Sequence, residues 1–244
     1  MKTKSLVLHL IFILIMVLVL IGTVYPVRWL DYPVKPLIMI WIAVYFLMMT
    51  KPQPFRWMVL LAFLFSWLGD LLLMFGSKSD MLFFAGVGGF FLSQVTYIQA
   101  FRKFSITRGK GQIARKPLWA LPFLVYMVGL YIFLKPGLDS IMKPVVVLYA
   151  ISLLGMSAAA FNRMGLTDPG SFRILFSGSL LFVISDTLLA INKFGTPIPN
   201  EGFLVMGTYM LAQYLIMMGL LSDGKTLRRE DRRREDKKTE DRRL

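Results

Sequence analysis

Apolar residues fill this chain in runs close to 20 residues long, separated by short polar breaks. A run of that length spans the hydrocarbon core of a bilayer as a helix. A membrane β-barrel would instead alternate over ten-residue segments, and no such alternation occurs. The pattern predicts an all-α, polytopic transmembrane helical bundle with eight spans, at about 5–24, 36–50, 57–75, 81–101, 117–134, 143–161, 172–191 and 202–221. The second is the shortest. The opening Met1-Lys-Thr-Lys resembles a signal-peptide start, but the apolar stretch after it is too long and lacks a small-residue cleavage site. It reads as an uncleaved first span. Residues 1–221 form the bundle, and 222–244 form a charged tail, disordered or marginally helical.

The net charge of +14 reads as topology rather than nucleic-acid binding. With both termini in the cytoplasm, 22 of the 28 Lys and Arg residues fall on the inner side and 6 on the outer. The tail repeats Glu-Asp followed by basic residues, and its acids would repel nucleic-acid phosphates. The basic residues suit contact with anionic lipid headgroups. Cysteine is absent and His9 is the only histidine, which argues against a catalytic zinc site. No metal and no cofactor is expected.

Two segments of the chain resemble one another. Ser66 to Phe101 and Ser179 to Leu221 each carry a small residue, an aspartate and an apolar run, then a turn and a span with a glutamine near its middle. The first pairs Asp70 with Gln94, 24 residues on; the second pairs Asp186 with Gln213, 27 residues on. Such repeats often build a central site at their interface. Both aspartates sit five residues before the end of their spans, about 8 Å from the outer surface at 1.5 Å per residue. Equal depth is a condition for two carboxylates to act on one bond.

Asp70 and Asp186 are the only acids placed inside predicted spans, and no Lys or Arg lies mid-span to neutralise them. A carboxylate at membrane depth costs at least ~2.5–3.5 kcal/mol, which makes both candidates for function. Two neighbouring carboxylates divide their protonation states, giving an acid and a base from one residue type. Asp186, among Phe182, Val183, Leu189 and Ala190, is the expected acid. Ser185 and Ser66 stand close enough in sequence to orient the carboxylates, or else serve as small packing residues. Gln94 and Gln213 read as interhelical hydrogen-bonding residues or as lining of a polar cavity that orients water or a headgroup. Tyr97, Tyr149 and Tyr209 read as hydroxyl donors into the same cavity or as interfacial anchors. Lys35 reads as a phosphate contact from the outer side or as a snorkelling side chain.

Taken together these motifs resemble the YhhN family of polytopic membrane proteins, which includes the lysoplasmalogenases. The resemblance rests on Lys35-Pro-Leu, Leu68-Gly-Asp70 with Leu73, Gly86 through Tyr97, Gly178 through Asp186, and Tyr209 through Gln213. Gln94 stands where the family pattern often has His. The resemblance implies cleavage of the vinyl ether of a lysophospholipid to a fatty aldehyde and a glycerophospho-alcohol, with both aspartates catalytic. It implies membrane lipid as the surroundings and a lysophospholipid as substrate. The expected location is a bacterial inner membrane. Two other readings of a buried Asp pair are a lipid-binding protein or proton-coupled transporter, and an intramembrane aspartyl protease. The protease reading lacks the first Gly of Gly-x-Gly-Asp and the partner Tyr-Asp motif.

Overall fold

The computed structural model describes the backbone of residues 2–25, 28–51, 54–76, 78–103 and 109–241, and the side chains of 6–25, 33–51, 56–76, 78–103 and 109–224. The described elements are helical: α1 (Lys2–Val24), α2 (Arg28–Met49), α3 (Pro54–Met74), α4 (Asp80–Lys103), a short α5 (Gln112–Arg115), α6 (Leu121–Leu134), α7 (Met142–Phe161), α8 (Pro169–Phe194) and α9 (Glu201–Asp241). Seven of them are long and apolar enough to cross a membrane. The protein is therefore a multi-pass helical bundle. The eighth expected span is α2, whose apolar stretch covers only Pro33–Met49. Pro33 and Pro36 lie inside it. The helix as a whole runs 22 residues, about 33 Å at 1.5 Å per residue, and it buries Ile38, Met39, Ile42 and Phe46 in the core.

Two helical hairpins form the centre. α3 packs on α4 and α8 on α9 more extensively than any other pairs, and they are the two segments of the sequence repeat. Each hairpin closes on glycine. A Cβ on Gly89 would sit 2.9 Å from the backbone nitrogen of Gly69. A Cβ on Gly178 would sit 2.8 Å from the nitrogen of Ile216, and one on Gly219 2.9 Å from that of Leu175. Close backbone approach through small residues is how helices associate where lipid removes the hydrophobic drive. α8 begins at an Asp168 cap, whose carboxylate accepts from the amides of Gly170 and Ser171, with Pro169 at the first helical position.

The other end of the bundle corrects the sequence reading. α9 stays apolar to Gly224, so Asp223, assigned to the solvated tail, is fully buried. Its carboxylate accepts from Arg163 and, at 2.5 Å, from Ser171 Oγ. With Asp186 it is one of two buried acids among the described residues, while Asp70 is half-buried. Beyond it the backbone of α9 continues as helix through the charged segment to Asp241.

Candidate functional site

The two repeat aspartates face one chamber of about 270 Å³, near the end of the bundle where α3 and α8 finish and α9 starts. Lys35, Asp70, Ser185, Asp186, Glu201 and Tyr209 supply its polar wall, and Leu73, Phe90, Leu189, Val205 and Met206 its apolar wall. The equal depth inferred from the chain is matched by lateral convergence.

Each carboxylate is held by the opposite hairpin. Asp186 of α8 accepts on Oδ2 from Gln94 Nε2 of α4 at 3.0 Å and from Tyr149 Oη of α7 at 2.6 Å. Asp70 of α3 accepts on Oδ2 from Tyr209 Oη of α9 at 2.8 Å. Such a hydrogen bond contributes about 0.5–1.5 kcal/mol, and about 1.5–3 kcal/mol where the carboxyl is ionised, so these contacts fix both side chains. A deeper layer orients the donors. Ser152 Oγ donates to Gln94 Oε1 at 2.5 Å, which commits the amide NH₂ of Gln94 to Asp186. Tyr97 Oη donates to Gln213 Oε1 at 2.6 Å, and Gln213 Nε2 turns to Ser66 Oγ at 2.9 Å and Tyr209 Oη at 3.5 Å. Ser66 in turn pairs with Ser93, 2.7 Å away.

The rings of Phe90, Phe182 and Tyr209 meet edge-on between the two aspartate-bearing hairpins, with centroids 5.6 to 6.2 Å apart. Phe90 and Tyr209 of this cluster also line the chamber. Edge-to-face packing of this kind adds about 0.5–1.5 kcal/mol per pair.

The expected site residues therefore fall into two groups. Lys35, Asp70, Ser185, Asp186 and Tyr209 line the chamber. Gln94, Tyr97 and Gln213 are fully buried behind it and act on the carboxylates, directly or through Tyr209. Tyr149 lies between, donating to Asp186 while lining a second, apolar slot. Ser185 and Ser66 do not orient the carboxylates: Ser185 Oγ donates to the Val205 carbonyl, and Ser66 holds Gln213 and Ser93. Two residues escaped the sequence reading. Ser152 is one of many small polar residues in a span, and Glu201 falls just before the expected span 202–221, although it opens α9 at the chamber wall.

The apolar slot, about 70 Å³, shares Leu73, Phe90, Asp186 and Leu189 with the chamber. Its remaining wall is hydrophobic apart from Tyr149 and Lys193. The site thus joins a charged compartment to a greasy one, with Asp186 on the shared wall. Among the described residues no group of three or more His, Cys, Asp or Glu is arranged to hold a metal.

A bilayer-embedded helical bundle with two carboxylates at the meeting of paired hairpins is the class of protein that fold and site define. The chain belongs to the YhhN family, whose pattern matches residues 30–220. It is 28% identical over 180 residues to bovine (Bos taurus) lysoplasmalogenase TMEM86A, covering 72% of this chain and 69% of the relative. It is 32% identical over 143 residues to lysoplasmalogenase TMEM86B of Sus scrofa, covering 59% and 56%. To human (Homo sapiens) lysoplasmalogenase TMEM86A it is 33% identical over 96 residues, covering 38% and 40%. The pig and human matches thus span about half or less of those relatives. No solved structure matches the chain.

Proposed function

We propose that this protein is a membrane hydrolase that cleaves the vinyl ether of a lysoplasmalogen, with Asp186 as general acid and Asp70 as general base. One observation carries the reading: two carboxylates from opposite hairpins line one chamber, and that chamber adjoins an apolar slot. The relatives' names supply the substrate class.

The roles follow from the order of atoms in the substrate. A vinyl ether is protonated on the alkene carbon nearer the fatty tail, and water then adds to the carbon bearing the ether oxygen. With the tail toward the slot, Asp186 on the shared wall stands beside the tail-side carbon. Both of its donors act on Oδ2, leaving Oδ1 to carry the proton. Asp70 lines the chamber and not the slot, and Lys35 stands on the same chamber wall, a cation that suits a carboxylate there.

The proton on Asp186 passes to the tail-side carbon, the alkene electron pair forms the new C–H bond, and an oxocarbenium ion results. Asp70 takes a proton from water as the water oxygen bonds to the cationic carbon. The hemiacetal then collapses. Asp70 returns its proton to the departing glycerol oxygen as the C–O bond breaks, and the hemiacetal hydroxyl proton restores Asp186. Aldehyde and glycerophospho-alcohol leave, and both carboxyl groups return to their starting states. General acid–base catalysis of this kind contributes typically 10²–10⁴-fold, and the cationic intermediate parallels that of glycoside hydrolysis. Lys35 meets the phosphate of the headgroup. Tyr209, Tyr149 and Gln94 hold the carboxyl groups in place, while Tyr97, Gln213 and Ser152 hold those donors.

The test is turnover in deuterium oxide. Purified protein in phosphatidylcholine vesicles, given a lysoplasmalogen, should release fatty aldehyde carrying one deuterium on the carbon next to the carbonyl. Absence of aldehyde overturns the hydrolase reading. Aldehyde without that deuterium overturns protonation at carbon. Proton-driven uptake of lysolipid without cleavage would establish the transporter instead.

A further inference from the structure

An apolar groove lies beside the slot. α4 packs against α7, and along that seam lies an apolar groove of about 350 Å³ lined by Phe84, Gly88 and Phe91 of α4, by Met142, Leu148 and Tyr149 of α7, and by neighbouring apolar side chains. The groove shares Phe84, Val87, Met142, Val145 and Tyr149 with the apolar slot, which in turn shares Asp186 with the chamber. Its outer lip is lipid-facing: Leu148 is 55% exposed and Phe84 39%, within helices that cross the membrane. Gly88 leaves the seam open. A Cβ there would meet nothing within 4 Å, whereas at Gly86 and Gly89 of the same helix it would meet a neighbour at 2.8 to 2.9 Å. Gly86 and Gly89 are tight packing contacts against α3, and Gly88 faces away from that contact.

We infer that the α4–α7 seam is a lateral portal through which the fatty chain of a lysolipid passes from the bilayer into the slot beside Asp186. This rests on the hydrolase reading for what happens at the end of the path, but not for the path itself. The occupant is an alkyl or alkenyl chain because the groove is apolar, lies on helices that cross the membrane, and shares five wall residues with the slot proposed to hold the tail. A lipid using this route slides its chain sideways while its headgroup stays at the level of the chamber, so neither part crosses an environment foreign to it.

The portal is tested by position and by selectivity. A single-chain lysophosphatidylcholine bearing a diazirine at the chain end, photolysed with the full-length protein in phosphatidylcholine vesicles, should label α4 and α7 at residues of the seam such as Phe91 and Leu148. Gly88→Trp should lower that labelling about tenfold, with Leu148→Trp as an independent obstruction on the other helix. In turnover, both variants should reduce the ratio of kcat/KM for a long-chain over a short-chain, water-soluble vinyl ether about tenfold. Labelling confined to other helices, or an unchanged ratio in both folded variants, overturns the portal even where aldehyde is released. Seam labelling that Gly88→Trp and Leu148→Trp suppress, in a protein that releases no aldehyde, upholds the portal and overturns the hydrolase.

Discussion

The two hairpins are built alike and hold their aspartates differently. In α4 the residue one turn before Gln94 is Phe90; in α9 the residue one turn before Gln213 is Tyr209. That single hydroxyl redirects a network. Tyr209 donates to Asp70 itself, and Gln213 falls back to support Tyr209 and Ser66. Phe90 offers no hydroxyl, so Gln94 reaches Asp186 directly, and a tyrosine from outside the repeat, Tyr149, supplies the missing donor. One carboxylate is held by a single direct donor with a relay behind it, and the other by two direct donors. A duplicated scaffold can thus give two aspartates unequal surroundings, which acid and base roles require. The placement of Asp186 beside the apolar slot adds to the inequality.

The largest effect expected is loss of either carboxyl group. Asp70→Asn and Asp186→Asn should each lower kcat by 10²–10⁴-fold, the usual worth of a general acid or base. The double variant should be little worse than either single one, since residues acting as a unit are not additive. Full activity in either single variant removes the shared mechanism, and with it the reason to compare the hairpins as a pair.

The next test separates direct donor from relay. Gln94→Leu strips Asp186 of one bond and leaves Ser152 Oγ without the Gln94 acceptor, so kcat should fall about 30-fold. Gln213→Leu acts on Asp70 only through Tyr209 and should cost about threefold, since the Tyr209 bond survives. Each tenfold step is about 1.4 kcal/mol of barrier, so the two differ by roughly the energy of one hydrogen bond. Equal losses would erase the distinction between the networks. Tyr209→Phe makes α9 resemble α4 at this position and should fall between them, about tenfold in kcat with little change in KM, because the hydroxyl orients Asp70.

Much of this was legible in the chain, and the missing parts share a cause. Span lengths follow from apolar run lengths, and the aspartate pair stands out because ionisable groups are costly in lipid. The two similar segments fold as the two most extensively packed hairpins. Lateral contact is what a sequence does not carry. Gln94 and Gln213 read as interhelical hydrogen-bonding residues or as cavity lining, and in the structure they lie one layer behind the chamber as interhelical partners. Ser152 acquires its role from Gln94, 58 residues away, and nothing local marks it. α2 reads weakly because Pro33, Lys35 and Pro36 interrupt its start, although Lys35 lies there to face the chamber. Asp223 was misplaced because a charged tail follows it directly, while its partner Arg163 lies 60 residues earlier.

The smallest activity effects should come from the glycines that close the hairpins, and they test whether the two halves are mechanically alike. Gly178→Ala would bring a methyl within 2.8 to 2.9 Å of the Ile216 nitrogen and the Ala212 carbonyl oxygen, and Gly89→Ala would bring one within 2.9 Å of the Gly69 nitrogen. All of these are backbone atoms, which cannot swing aside as a side-chain tip does. Each substitution should destabilise the bundle by about 1–3 kcal/mol, the usual cost of overpacking, seen as an earlier unfolding midpoint in detergent. Gly129→Ala in α6, where a Cβ meets nothing within 4 Å, is the control and should be neutral to slightly stabilising, since alanine favours helix over glycine. Because the chamber lies on the faces the hairpins turn toward each other, the folded fraction of Gly89→Ala and Gly178→Ala should keep kcat within a few fold of the parent. If one hairpin tolerates its methyl and the other does not, the repeat is shared only in sequence and the two halves carry unequal loads. Equal penalties would mean that the halves differ in their hydrogen bonds to the aspartates and not in the helical framework that presents them.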